Sequence, residues 1–132
     1  MKKKKLLDSY SLLAYLKKED KYQRVKDLLS SSEDNPLIMN ELNIGETYYI
    51  LARERDSGYA DYFIEVILPS LPIEILSNSF EQIIKASRIK AKYPISYADC
   101  FAVATALKEK AAIATGDPEF KKVEELVEID WL

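Results

Sequence analysis

Five short apolar segments alternate with helical segments along the chain, and this alternation limits the fold more than any other feature of the sequence. Strands that are buried on both faces have short, continuous apolar sequences, and helices usually connect parallel strands. The pattern therefore predicts an α/β fold, a three-layer α/β/α sandwich around a roughly five-stranded parallel sheet whose fifth strand lies at an edge. The predicted strands are Lys5–Asp8, Leu37–Met39, Ile73–Leu76, Ala112–Thr115 and Leu126–Trp131.

The helical segments are predicted from apolar residues at helical spacing and from the residues that cap or break helices. Asn43 is predicted to begin a long amphipathic helix, which Gly58 breaks. The next helix is expected to end at Pro69, and Ser96 is predicted to begin a helix that is rich in small residues. Small side chains would allow this last helix to pack close to the sheet.

Length and composition indicate one ordinary globular domain. Of the 132 residues 48% are hydrophobic and 31% are charged, and we interpret residues 1–132 as a single domain. The apolar run that follows Lys2–Lys5 is too short and too soon interrupted for a signal peptide or a membrane span. We therefore expect no membrane contact and a cytoplasmic location. The single cysteine, Cys100, cannot close an internal disulfide and is interpreted as a small buried hydrophobic residue.

The chain contains no histidine, which excludes several kinds of catalytic site. Triads of Ser-His or Cys-His type, HExxH zinc sites and imidazole acid–base catalysis all require that residue. Hydrolytic chemistry would have to use carboxylates, hydroxyls, lysine or a metal held by oxygen atoms, and oxygen ligands favour Mg²⁺ or Mn²⁺. Because the formal net charge is −3, binding of nucleic acid would need a local basic patch or bound cations.

Four acidic residues fall where strands end or helices begin, namely Asp8, Glu46, Asp99 and Asp117. Right-handed crossovers place the carboxyl ends of parallel strands at one edge of a sheet, and ligands of open α/β sheets bind there. We therefore expect the four carboxylates to converge in one pocket. Clustered carboxylates repel one another, and a shared cation usually offsets that repulsion. The predicted ligand of the pocket is Mg²⁺ or Mn²⁺.

Each acid also has a purely structural interpretation as a helix cap. Glu46 and Asp99 each follow a capping residue, Asn43 or Ser96, at the spacing of a capping box. Asp117 precedes Pro118, which is typical of an N-cap, and either Asp8 or Ser9 can cap the helix that follows the first strand. Capping does not require an acid, however, because Ser, Thr or Asn serves equally well.

Four segments in this order resemble the PIN-domain family and, within it, toxin ribonucleases of the VapC type: LLDSYSLLAYL, NIGETYYIL, ISYADCFAVATAL and AAIATGDPEF. The resemblance implies a five-stranded parallel sheet and a pocket of acids that holds Mg²⁺ or Mn²⁺ and cuts RNA. It also implies a homodimer and a small antitoxin partner. By motif it assigns the acids of the pocket to Asp8, Glu46, Asp99 and Asp117, with Ser9 and Thr115 as supporting residues.

Several alternatives stay open. Glu41 competes with Glu46 as the second acid of the pocket. The chain also fits a PIN-like nuclease outside a toxin pair, or a non-catalytic binding module whose acids only cap helices. A phosphoryl-accepting receiver or a haloacid-dehalogenase-like phosphatase fits poorly. Asp8-Ser9-Tyr10 lacks the second aspartate of the phosphatase motif, and no lysine stands where a receiver needs one.

Overall fold

The structure, a computed structural model, describes residues 3–132; Lys2 of the N-terminal lysine run lies outside the described residues. Strands and helices alternate as the sequence predicts. In chain order the elements are β1 (Lys5–Leu7), α1 (Ser9–Leu16), α2 (Tyr22–Ser30), β2 (Leu37–Asn40), α3 (Glu41–Glu54), α4 (Ser57–Tyr62), a π-helical turn (Phe63–Ile67), α5 (Leu68–Ser70), β3 (Ile73–Leu76), α6 (Phe80–Lys92), α7 (Tyr97–Glu109), β4 (Ala112–Thr115), a 3₁₀ segment (Pro118–Val123) and β5 (Ile129–Trp131).

All neighbouring strands of the sheet are parallel, in the order β3-β2-β1-β4-β5. This confirms the predicted parallel sheet and the position of the fifth strand at an edge. The chain builds one half of the sheet outward from β1 and then crosses back to place β4 on the other side of β1. The strand order therefore reverses between β1 and β4, where α/β sheets of this kind bind their ligands.

The two faces of the sheet are covered by different helices, because successive side chains of a strand point to opposite faces. Leu6 and Ile113 pack with α6, α7 and the 3₁₀ segment. Leu7 and Ala114, one residue further along their strands, pack with the helices from α1 to α5. The structure is thus the predicted three-layer sandwich. Within residues 3–132, no helix combines the length and the apolar composition that a membrane crossing requires.

The helix α7 lies in the interior, as its small side chains predict. Its residues from Asp99 to Ala106 are all buried, and Ala102 and Val103 are completely inaccessible. Cys100 is also buried without a disulfide, and burial raises the pKa of its thiol. These contacts hold the first turn of α7 against the sheet next to the reversal of strand order.

Three predicted boundaries are wrong by two or three residues. The helix α3 begins at Glu41 instead of Asn43, because the side chain of Asn40 accepts a hydrogen bond from the backbone N–H of Leu42 at 2.8 Å and caps the helix. Glu46 consequently lies in the second turn, so its spacing from Asn43 is not a capping box.

The two other errors concern a helix break and a strand start. The break after α3 is made by Asp56, which caps α4 by accepting from the N–H of Tyr59 at 2.7 Å, and Gly58 lies inside α4. The strand β5 begins at Ile129 instead of Leu126, because the backbone N–H of Leu126 closes a turn onto the carbonyl of Val123. In both places a backbone N–H makes a local hydrogen bond, Tyr59 with the Asp56 side chain and Leu126 with the Val123 carbonyl, and this bond sets the boundary.

Candidate active site

Three of the predicted acids come together at the carboxyl ends of the two central strands, β1 and β4. One carboxylate oxygen from each of Asp8, Asp99 and Asp117 lies within 4.8 Å of the other two. Asp8 directly follows β1, Asp117 follows β4 by two residues, and Asp99 lies in the first turn of α7. The cluster therefore lies where the strand order reverses.

Asp8 is fixed by hydrogen bonds to both of its carboxylate oxygens, and only 1% of the residue is exposed. Its Oδ1 accepts from the backbone N–H of Ser11 at 2.9 Å, with the Ser11 hydroxyl at 3.0 Å. The single proton of that hydroxyl is shared with a closer acceptor, the carbonyl of Ala114 on β4 at 2.5 Å. Ser11 therefore ties the first turn of α1 to the neighbouring strand and holds Asp8 at the strand end.

Thr115 connects two of the acids. Its hydroxyl donates to Oδ2 of Asp8 at 2.7 Å and accepts from the backbone N–H of Asp117 at 3.0 Å. Asp117 in turn caps the 3₁₀ segment, since its Oδ1 accepts from the N–H of Glu119 at 3.0 Å. The completely buried Thr115 thus sets the distance between Asp8 and Asp117.

Burial and mutual repulsion raise the pKa values of the two most buried acids. Burial raises the pKa of Asp8 to about 6, although the hydrogen bonds from Thr115 and Ser11 oppose the increase. Burial also raises the pKa of Asp99 to about 7, and the negative charges of Asp8, Asp117 and Glu46 contribute to the increase. Asp99 is 6% exposed and its backbone N–H donates to the capping Ser96. The protein alone therefore disfavours full ionisation of these carboxyl groups.

This donor set fits a hard divalent cation. Carboxylate oxygens are the ligands that Mg²⁺ and Mn²⁺ prefer. Burial and repulsion raise the pKa of Asp99, and a bound cation would offset the cost of ionising this carboxyl group. Asp8, Asp99 and Asp117 are the residues that could hold such an ion.

Glu46 lies beside this cluster and not within the group of three. It is half-buried in the second turn of α3, and its Oε1 accepts from the hydroxyl of Ser9 at 2.5 Å. Burial is the main cause of the raised pKa of Asp99, and the negative charge of Glu46 adds a small contribution. The competing Glu41 is exposed and accepts from the backbone N–H of Asn78 at 3.2 Å, in the loop before α6.

Two residues of the site were not predicted from the sequence. Ser11 contacts Asp8 as described, and its position three residues after a capping acid is the signal that could have identified it. Asn43 is buried in α3, and its Nδ2 donates to the carbonyl of Ala98 in the first turn of α7 at 3.3 Å. Its Oδ1 has no hydrogen-bond partner within residues 3–132. Only the tertiary contact with α7 distinguishes Asn43 from an ordinary first-turn residue.

Known structures with the same fold are numerous. VapBC2 from Rickettsia felis, solved with a DNA fragment from its promoter, matches with a TM-score of 0.74 at 17% identity, over 98% of each chain. VapC20 from Mycobacterium tuberculosis, a toxin that cleaves the sarcin–ricin loop, has a TM-score of 0.70 at 16% identity, over 89% of this chain and 92% of the toxin. FitAcB from Neisseria gonorrhoeae has a TM-score of 0.71 at 19% identity, over 96% of each chain. At these identities the likeness establishes the fold.

Sequence comparison identifies the family. No curated protein sequence matches the chain. The family model of the PIN domain matches residues 5–126. This range includes strands β1 to β4, helices α1 to α7 and the three clustered acids. The chain therefore belongs to the PIN domain family.

Proposed function

We propose that the protein is an endoribonuclease that hydrolyses RNA phosphodiesters with a divalent cation, Mg²⁺ or Mn²⁺. The observation that carries the proposal is the convergence of Asp8, Asp99 and Asp117 within 4.8 Å where the strand order reverses. The PIN domain supports the assignment to a nuclease. The absence of histidine excludes imidazole acid–base catalysis, and the clustered carboxylates are one of the means of hydrolysis that remain.

The residues of the site have separate roles in this proposal. Asp8, Asp99 and Asp117 would hold the cation, with Glu46 at the edge of the site. A bound divalent cation supplies charge neutralisation on the phosphodiester and lowers the pKa of water. Asp8 would be the most rigid ligand, because Ser11 and Thr115 occupy both of its oxygens with hydrogen bonds. Asp99, whose pKa is about 7, would release its proton when the cation binds.

We further propose that the protein is the toxin of a toxin–antitoxin pair, forms a homodimer and binds a small antitoxin. Support comes from the solved structures of similar fold, which include VapBC2 from Rickettsia felis and DNA-bound VapBC from Salmonella typhimurium. The match covers 98% of the first of these chains and 98% of the second, so nearly the whole of each has a counterpart in this protein. A PIN nuclease outside a toxin pair would use the same site without the antitoxin.

One observation favours a second candidate, a binding module without catalytic activity. Asp8 and Asp117 do cap helices, since each accepts a hydrogen bond from a backbone N–H of the segment that follows it. Capping alone accounts for neither the burial of Asp99 nor its proximity to two other acids. The two candidates differ in whether the acids bind a metal ion.

RNA cleavage tests the proposal. The wild-type protein is expected to cut RNA in the presence of Mg²⁺ or Mn²⁺ and to lose this activity in EDTA. The Asp99→Asn variant should lose at least about two orders of magnitude in rate while it remains folded, because the substitution removes one charged ligand. Glu128→Gln, which removes an exposed carboxylate at the opposite end of the sheet, serves as the control and should retain full activity. Equal activity in Asp99→Asn and the wild-type protein would exclude the proposed site.

A further inference from the structure

The aromatic ring of Tyr10 lies at the edge of the acidic cluster, in contact with the loop that carries Asp117. A Cβ atom added to Gly116 would lie 2.6 Å from Cε1 of this ring, so the ring packs directly on the glycine backbone. Gly116 separates Thr115 from Asp117, and Tyr10 directly follows Ser9, which binds Glu46. The ring is thus held next to residues of the site on both sides, and Gly116 provides the space that it occupies.

Tyr10 is nevertheless not part of the core. The residue is 36% exposed and lines an open groove of about 510 Å³. The wall of the groove continues along α1 with the apolar residues Leu13 and Ala14. An aromatic ring that is fixed on one side and exposed on the other can serve as a surface on which a nucleobase stacks.

The charges of the groove indicate which part of a nucleic acid would enter it. Its far end is lined by Lys17, Glu19 and Asp20, of which two are acidic. The ammonium group of Lys17 is already paired with Glu54 at 2.6 Å and lies 3.6 Å from Glu19. Among the described residues that line the groove, a phosphate group would find no unpaired cation and would meet two carboxylates. An uncharged nucleobase, which has an aromatic face, suits the apolar wall and the ring of Tyr10.

We propose that Tyr10 stacks on an unpaired nucleobase next to the phosphodiester that is cleaved, and that the groove along α1 receives that base. This inference rests on the proposed nuclease function. It narrows the substrate class to single-stranded or looped RNA, because a base inside a duplex has no free face for stacking. Gly116 is a positioning residue in this proposal, since a side chain at this position would displace the ring of Tyr10.

Stopped-flow fluorescence tests the proposal by measuring how the protein binds a single-stranded RNA that contains the fluorescent base 2-aminopurine. The measurement is made in the presence of Mg²⁺ and at times before cleavage is appreciable. The wild-type protein is expected to quench the fluorophore. Tyr10→Ala should weaken binding by about fivefold to 150-fold, the range that corresponds to stacking on one base, and should lose the quenching. Tyr10→Phe should retain both, because stacking requires the ring and not the hydroxyl. Tyr62→Ala removes an exposed tyrosine of α4 and serves as the control.

A double-mutant cycle tests whether Gly116 acts through the ring. Gly116→Ala is expected to weaken RNA binding when Tyr10 is present and to have no effect in the Tyr10→Ala background. The circular dichroism and melting temperature of each variant show that it is folded. Equal losses from Gly116→Ala in both backgrounds would contradict the proposed contact.

The outcomes separate this inference from the proposed function. If the wild-type protein cleaves RNA and Tyr10→Ala binds it with unchanged affinity, the stacking role is excluded and the nuclease function stands. If Tyr10 governs binding but no metal-dependent cleavage occurs, the stacking role stands and the nuclease function is excluded. If the wild-type protein cleaves RNA with Mg²⁺ but binds no single-stranded or looped RNA, the stacking role is excluded and the nuclease function stands.

Discussion

Among the acids of the site, Asp99 is the one whose burial and charged neighbours are most difficult to explain by a purely structural role. Its carboxyl group is buried in the first turn of α7, and the charges of Asp8, Asp117 and Glu46 all disfavour its ionisation. Burial raises the pKa of Asp99 to about 7, and repulsion by the neighbouring acids contributes to the increase. Such perturbed groups are concentrated at functional sites.

The raised pKa values predict how the stability of the metal-free protein depends on pH. The pKa of Asp8 rises from 3.8 to about 6 on folding, and that of Asp99 rises from 3.8 to about 7. Both groups therefore bind more protons in the folded state than in the unfolded state across this interval. The free energy of unfolding should fall as the pH rises from about 4 to about 7, by on the order of a few kcal/mol.

Urea denaturation in EDTA across this range of pH measures the effect. In Asp99→Asn, which removes the larger of the two contributions, the metal-free protein should be more stable than the wild-type protein at neutral pH and less dependent on pH. Glu128→Gln, the exposed control, should follow the wild-type curve. A metal-free wild-type protein that gains stability as the pH rises from about 4 to about 7 would contradict the assigned environment of Asp99.

At the scale of single elements, sequence reasoning succeeded where local patterns are sufficient. The strands β3 and β4 have the predicted bounds because their short apolar sequences end at turn or capping residues. The start of α3 was predicted incorrectly because two asparagines, Asn40 and Asn43, are equally good caps in local terms. Tertiary contacts decide between them, since Nδ2 of Asn40 also donates to the side chains of Asn78, after β3, and Thr105, on α7, at 2.7 and 2.8 Å.

The close packing of α7 against the sheet makes a prediction about its alanines. Ala102 is completely buried, so Ala102→Leu would add a large side chain to a filled space and should lower the free energy of unfolding by about 1–3 kcal/mol. It should also weaken Mn²⁺ binding, because displacement of α7 would move Asp99 away from Asp8. Denaturation and calorimetric titration with Mn²⁺ measure the two effects.

The matched control for that substitution is Ala91→Leu, at an exposed position near the end of α6. It adds the same side chain without a steric conflict and should change the free energy of unfolding by no more than about 0.5 kcal/mol. If Ala102→Leu proved equally harmless, α7 would not be held as tightly as its burial indicates.

At the scale of the whole molecule, the strand order determines which acids meet. The sequence predicts parallel strands and an acidic edge, but it contains no local signal that β4 lies beside β1. That adjacency brings Asp117 to Asp8, more than a hundred residues earlier in the chain, through the shared contact with Thr115. Strand order does not fix the position of Glu46, which lies on a helix. The helix α3 places it beside Ser9 and outside the group formed by Asp8, Asp99 and Asp117.

The assignments that concern other molecules remain predictions at this scale. The homodimer and the antitoxin partner follow from resemblance to toxin–antitoxin proteins. The site itself is built from one chain, because Asp8, Asp99 and Asp117 all belong to it. Binding of a metal ion by the isolated protein can therefore be examined without its partners.

The most direct test is the anomalous diffraction of a crystal soaked in Mn²⁺ at millimolar concentration. The central claim is that three carboxylates, held together by the reversal of strand order, share one divalent cation. The expected result is one Mn²⁺ peak in direct contact with carboxylate oxygens of Asp8, Asp99 and Asp117. A crystal that shows these three side chains ordered, with no Mn²⁺ peak between them, would contradict the claim.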